Sequence, residues 1–224
     1  MEKRPRLRYP AHMNELNNEL HLPSVDWVLS TARSIRRNLD FDRPIEMEVL
    51  LDCIDIAAQA PTGAAGENWR FVVVTDPEPK ARLSELYASV LNEFAELRGI
   101  QIKATQKALV SRLHEIPAMI FVCATTPPPG AEVSQQIGYY GSLLPAAWSL
   151  MLALRARHIG ATWTSLLAAR QQQVADILEM PTGSMHLVML PVGYMKGVTL
   201  KKAERQKASE ITFVNRWGVN GSNA

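Results

Sequence analysis

Cysteine is scarce in this chain of 224 residues: there are two, Cys53 and Cys123, far apart in sequence. That spacing makes no metal knuckle and no redox pair, so both read as reduced core thiols and the protein as cytoplasmic. Long apolar runs are missing too. The longest nearly apolar stretch, Leu143 to Leu154, has 12 residues and contains Ser149, against about 18–20 for a membrane span. Charge of one sign is also lacking: the net charge of +2 gives no general reason to expect nucleic-acid or membrane binding. The sequence contains no G-x-S-x-G, P-loop, H-E-x-x-H or G-x-G-x-x-G motif. Its five histidines (His12, His21, His114, His158 and His186) form no pair at ligand spacing. A nucleophilic or metal mechanism resting on protein side chains alone therefore has little support, and no metal and no catalytic side chain is assigned. No internal repeat or low-complexity linker divides the chain. One domain is expected over residues 24–215, with an N-terminal tail or arm (1–23) and a C-terminal tail (216–224). Lys3, Arg4, Arg6 and Arg8 have no apolar segment behind them, unlike a secretory signal. This basic end is open either to an acidic partner or to solvent.

What is present suits a folded core. Hydrophobic residues make up 47% and charged residues 21%, too apolar for disorder. A short helix is expected from Ser24, as N-cap, to about Arg33. A clearer one runs from Ile45 to Gln59, where Leu50, Ile54, Ala57 and Ala58 share a face and Pro61 and Gly63 follow the end. Trp69 to Thr75 is the best strand, rich in β-branched and aromatic residues. Lys80 to Leu113 reads as two helices with a break near Gly99, and Pro117 to Thr125 as a buried strand. Gln136 to His158 reads as one long central helix, Ala161 to Leu167 as a short strand or a loop, and Gln171 to Leu178 as an amphipathic helix. His186 to Tyr194 is a third strand, and Glu210 to Val214 is expected to be extended. Helices outnumber strands without regular alternation, which favours an α+β layer over a doubly wound parallel sheet.

Three segments could carry chemistry. Arg33-Ser34-Ile35-Arg36-Arg37 places guanidiniums around a hydroxyl, an anion site or a solvated basic helix end. Ala60 to Trp69 leads small residues straight into a strand, letting backbone groups approach a flat ligand or simply forming a loop. Arg205, in a basic C-terminal patch with Lys201, Lys202 and Lys207, could close a phosphate site or face solvent.

In this order the segments resemble the FMN-dependent nitroreductase family. Its opening R-R-S-I/V-R appears as Ala32-Arg33-Ser34-Ile35-Arg36, and its A-P-S-x-x-N-x-Q-P-W before F-V-V-V as APTGAAGENWRFVVV. Gly138 to Ala146 is similar to the family's central dimer helix, and the likeness continues through Leu154 to Leu166, Val192-Gly193-Tyr194 and Arg205. The resemblance implies a nitroreductase-like fold, a central mostly antiparallel sheet flanked by helices, built as an intertwined homodimer with FMN at the interface. It implies that Arg33, Ser34, Ile35, Arg36 and Arg205 hold the phosphate and ribityl chain. Pro61, Thr62, Gly63, Glu67 and Asn68 would run along the isoalloxazine, with Ser142, Leu144, Pro145, Thr164, Ser165 and Leu166 adding contacts.

Three departures stand out. Ala32 replaces the first Arg, for which Arg37 or Lys202 could compensate; Ala65 and Glu67 replace amides that usually meet the flavin's polar edge. Glu67, if ionised, can only accept hydrogen bonds, leaving Asn68 as the alternative donor. The implied activity is ping-pong hydride transfer from NADH or NADPH through flavin to a small electron-poor acceptor, a nitroaromatic or quinone. The alternatives are a flavin-binding protein without turnover, serving storage, sensing or partner binding, and a dehalogenase or flavin-fragmenting relative on the same fold.

Overall fold

A computed structural model describes residues 21–63 and 66–219; the tail residues 1–20 and 220–224, with Ala64 and Ala65, lie outside the described residues. The chain centre is the pair of strands β3 (Ala118–Ala124) and β5 (Met185–Met195). Every residue of β3 is buried, because both faces of the sheet are covered. Ala118, Ile120, Val122 and Ala124 pack into one core, while Met119, Phe121 and Cys123 enter the other. This is the period-two alternation of a strand applied to two apolar faces.

The sheet is antiparallel throughout, in the order β1-β5-β3-β2, with β1 at Leu39–Asp40 and β2 at Trp69–Val74. A further short strand, β4 (Ile159–Ala161), also pairs with β5. Val192 is partnered by both Ala118 and Ala161, so β3 and β4 flank it on opposite sides. Helices α2 (Met47–Ala57), α5 (Val133–Gly141) and α6 (Leu144–Ala156) supply the first core. Helices α3 (Pro77–Arg98), α4 (Ala104–Val110) and α7 (Gln171–Leu178) supply the second. Helix α1 (Leu22–Thr31) rests on α6, and α8 (Ala208–Ile211) lies in the C-terminal segment.

Helix α3 carries its own punctuation. The Asp76 side chain accepts the Glu78 N–H, Pro77 opens the first turn, and Gly99 ends it at φ 58°, a left-handed conformation that glycine adopts at little cost.

The architecture agrees with the expected α+β layer; three local expectations are corrected and one open alternative is resolved. Ser24 does not cap α1: the helix begins at Leu22, and the Ser24 hydroxyl bonds the His21 ring instead. The long central helix is two helices, broken at Ser142–Leu143. Pro145 has no N–H to offer the Gly141 carbonyl four residues back, so the ladder cannot run through. Glu210 to Val214 is not extended at its start, since α8 runs to Ile211. The ambiguous stretch after β4 becomes a bridge between Thr164 and Met189, followed by a 3-10 turn at Leu166–Arg170. Taken across their break, Val133–Ala156 form 24 residues apolar enough by composition to cross a membrane, longer than the stretch read from sequence. Half of the most apolar window is buried, as in a core helix pair.

Candidate functional site

The Arg33–Arg36 segment leaves α1 and is stitched to the strand β4 and the residues after it. The Ile35 N–H donates to the Ala161 carbonyl at 2.9 Å, and the Thr162 hydroxyl donates to the Ile35 carbonyl. The Trp163 N–H donates to Ser34 Oγ at 3.0 Å. That bond occupies an acceptor position of Ser34 and leaves its proton free to donate. Ile35 itself is buried in the second core, so it serves the segment as an anchor. Arg33 Nε is buried and has no hydrogen-bond partner among the described residues. A buried, unpaired guanidinium nitrogen is costly, and an anion would satisfy it.

Arg36 opens onto a cleft of about 410 Å³ shared with Trp163, Thr164, Ser165 and Leu166. Its apolar wall is Val90, Leu91 and Phe94 of α3. Tyr87 closes one side, its hydroxyl accepting from Thr164 Oγ1 at 3.3 Å. The structure thus brings together Arg36, Thr164, Ser165 and Leu166, four positions expected from sequence. A larger hollow of about 630 Å³, between the end of α3 and α4, includes none of the expected residues.

A second cluster forms at the break between α5 and α6. The Gly63 N–H donates to Ser142 Oγ at 2.8 Å, and that hydroxyl donates to the Gly138 carbonyl at 2.8 Å. Pro61 and Thr62 are exposed on the same loop, and Leu144 and Pro145 open α6 beside Ser142. Asn68 is buried and bound to the end of β3. Its amide oxygen accepts from the Thr125 N–H and hydroxyl, and its Nδ2 donates to the Thr126 hydroxyl at 3.1 Å. One amide hydrogen remains of the donor capacity expected to replace the missing family amide. Glu67 is exposed, with its carbonyl held by Arg70 at 3.1 Å, and Ala65 lies outside the described residues.

Arg205 is exposed and donates to the Glu204 carbonyl at 3.0 Å. Among the described residues no hydrogen bond joins it to Arg33, Ser34 or Arg36, and Arg37 and Lys202 are exposed as well. Sequence reasoning missed Tyr87, Val90, Leu91 and Phe94 as cleft residues. Their spacing on α3 is that of an ordinary core face, which is also what Leu83 uses.

The titratable groups argue against protein-centred nucleophilic chemistry. Burial pushes the Cys53 thiol up to about 11 and the Cys123 thiol up to about 12, and both are unpaired and inert at neutral pH. Burial likewise lifts the Tyr139 phenol to about 12. No cluster of metal-ligating side chains occurs among the described residues.

Comparison with known proteins gives a consistent picture. The sequence model of the nitroreductase family matches residues 29–194. Iodotyrosine deiodinase 1 of Rattus norvegicus is 28% identical over 213 residues, covering 90% of this chain and 73% of that protein. A solved iodotyrosine deiodinase bound to FMN and 3-iodo-L-tyrosine superposes with a TM-score of 0.62 at 21% identity, covering 82% of this chain and 95% of that one. A nitroreductase-like family protein from Bacillus cereus superposes with a TM-score of 0.64 at 19% identity, covering 86% and 96%.

Proposed function

This chain belongs to the nitroreductase family, and on that premise we propose that it is an FMN-dependent oxidoreductase acting as a homodimer. It would carry reducing equivalents from NADH or NADPH to a small electron-poor acceptor, a nitroaromatic or a quinone. The observation that carries the reading is the unpartnered, buried Nε of Arg33 in the segment that also presents the Ser34 hydroxyl and Arg36. Two guanidiniums and a free hydroxyl proton fit a phosphate monoester, which offers several acceptor oxygens. Bound FMN would supply the hydride-accepting and hydride-donating chemistry that no side chain here can supply.

The protein's part is binding, orientation and exclusion of water. Arg33, Ser34 and Arg36 would hold the phosphate, with Ile35 fixing the segment and Arg205 available from the C-terminal segment before α8. The loop of Pro61, Thr62, Gly63, Glu67 and Asn68, with Ser142, Leu144 and Pro145, would border the ring. Thr164 and Ser165 would offer polar contacts in the cleft, and Leu166 joins the apolar lining of Val90, Leu91 and Phe94, a surface suited to a planar substrate. Leu22, Val25 and Leu29 on α1, Val133 and Ile137 on α5, and Trp148 on α6 are exposed apolar side chains. Their number supports burial against a second copy.

A second reading is reductive dehalogenation of a halogenated aromatic. The similarity to rat iodotyrosine deiodinase over 90% of the chain favours it, and the aromatic side chains of Tyr87, Phe94 and Trp163 around the cleft accommodate such a ring. The test begins with the visible spectrum of the purified protein, followed by turnover with a nitroaromatic, a quinone and a halophenol under reducing conditions. Bound flavin with nitroaromatic or quinone turnover is the expected result. Halide release without it favours the second reading. Flavin that no acceptor discharges indicates a binding protein, and a colourless protein that ignores added FMN overturns all three.

A further inference from the structure

Arg155 stands in the last turn of α6, yet only 4% of it is exposed. No carboxylate pairs with it among the described residues. Its Nη2 donates to Thr31 Oγ1 at 3.1 Å, and its guanidinium carbon lies 3.9 Å from the centre of the Trp27 ring. Nε and Nη1 have no hydrogen-bond partner among the described residues. Burying such a charge is unfavourable, and burial depresses its basicity. The cation–π contact and the negative end of the α6 dipole offset part of that cost. Replacing a buried charge by an apolar residue of similar volume is often neutral or stabilising, so stability alone does not account for an arginine here.

What it places is α1. Thr31 is the one buried residue of that helix, whereas Leu22, Val25, Trp27 and Leu29 are all at least 40% exposed. Apolar packing therefore does little to fix α1 on the subunit. The Arg155 contacts to Thr31 and Trp27 are its chief polar anchor, and Thr31 in turn donates to the Trp27 carbonyl. Arg33 follows two residues after Thr31. On the far side, Ser34 and Ile35 are fixed by Trp163, Ala161 and Thr162. The anion-facing segment is thus clamped at both ends, and only one clamp is a buried charge.

We propose that Arg155, acting through Thr31 and Trp27, is a positioning residue for Arg33 and sets the chain's preference for a phosphorylated flavin. The inference rests on the reading that Arg33, Ser34 and Arg36 hold the FMN phosphate. A displaced Arg33 weakens contact to the phosphate far more than contact to the ring, which the Pro61–Asn68 loop would border. FMN affinity therefore falls more than the affinity for riboflavin, which lacks the phosphate.

The experiment titrates the flavin-stripped full chain with FMN and with riboflavin, following flavin fluorescence, and compares the ratio of the two dissociation constants. In the wild-type chain FMN is preferred. Thr31→Val, which keeps shape and removes the acceptor for Arg155, lowers that preference by about tenfold, the loss of one good hydrogen bond. Thr31→Ser, which keeps the hydroxyl, restores it. Arg155→Lys, which keeps the charge and loses the fork, also lowers the preference. A wild-type chain that does not distinguish the two flavins overturns the phosphate reading itself. A wild-type preference that survives in Thr31→Val, or a parallel loss of both affinities, overturns the positioning role alone. If Thr31→Val does not fold, Arg155→Lys decides by the same ratio; if neither folds, the role is fold stability and the proposal is overturned.

Discussion

The hydroxyl of Ser142 accepts the backbone N–H of Gly63 at 2.8 Å and donates to the Gly138 carbonyl at the same distance. One small side chain thereby ties the loop after α2 to the break between α5 and α6. A methyl group on Gly63 would lie 2.8 Å from that same oxygen, closer than side chains pack.

Gly63→Ala therefore forces Ser142 out of both hydrogen bonds. The expected destabilisation is about 1–3 kcal/mol, read by urea unfolding. Ser142→Ala makes room but leaves the Gly63 N–H unpaired. The double variant should cost less than the sum of the two singles, because the clash is gone once the hydroxyl is removed. Strict additivity would show that the two residues do not communicate.

His186 makes stability depend on pH. Its ring is buried, set edge-on to Phe121 with centroids 5.9 Å apart, and burial pushes its basicity below the ordinary 6.5. The nearby Leu167 backbone opposes this only in part. The folded state thus disfavours the proton that the unfolded state accepts. Above pH 6.5 the ring is neutral in both states and adds no pH dependence, and stability falls as the pH drops below 6.5 towards the lowered folded value. The slope reaches at most about 1.4 kcal/mol per pH unit. His186→Leu should flatten this part of the profile, measured by denaturant unfolding from pH 7.5 to 5. An unchanged slope would assign the acid sensitivity to other groups.

Glu67 occupies a position where the family usually has an amide, and it is exposed beside the candidate flavin loop. A carboxylate near the ring disfavours added negative charge on reduction. Glu67→Gln should raise the FMN midpoint potential by about 30 mV, equal to ~1.4 kcal/mol for a two-electron couple. An unmoved potential would mean that the side chain stands away from the ring.

Much of this fold was legible from residue pattern. Strands β2, β3 and β5 are runs of β-branched and apolar residues with turn residues at their ends, and Gly99 marked the end of α3. The two-residue β1 and three-residue β4 were not, because so few residues show no period and owe their place to β5. The α5–α6 break was masked by apolar residues on both sides of Pro145. The anion segment and the small-residue loop were legible as chemistry. The binding of Asn68 by Thr125 and Thr126 was not, since those partners lie 57 and 58 residues away. Nothing in the sequence singles out Arg155; only packing reveals that it is buried against Trp27 and Thr31.

In the proposed turnover, bound flavin takes electrons from a nicotinamide and hands them on. Its most direct test is anaerobic stopped-flow mixing of the FMN-loaded protein with NADH and, separately, NADPH, followed by an oxidised quinone. Rapid bleaching of the visible flavin absorbance (on the order of seconds or faster, as turnover requires) is expected with at least one nicotinamide, as is its return on adding the quinone. Flavin that stays oxidised with both nicotinamides would contradict it.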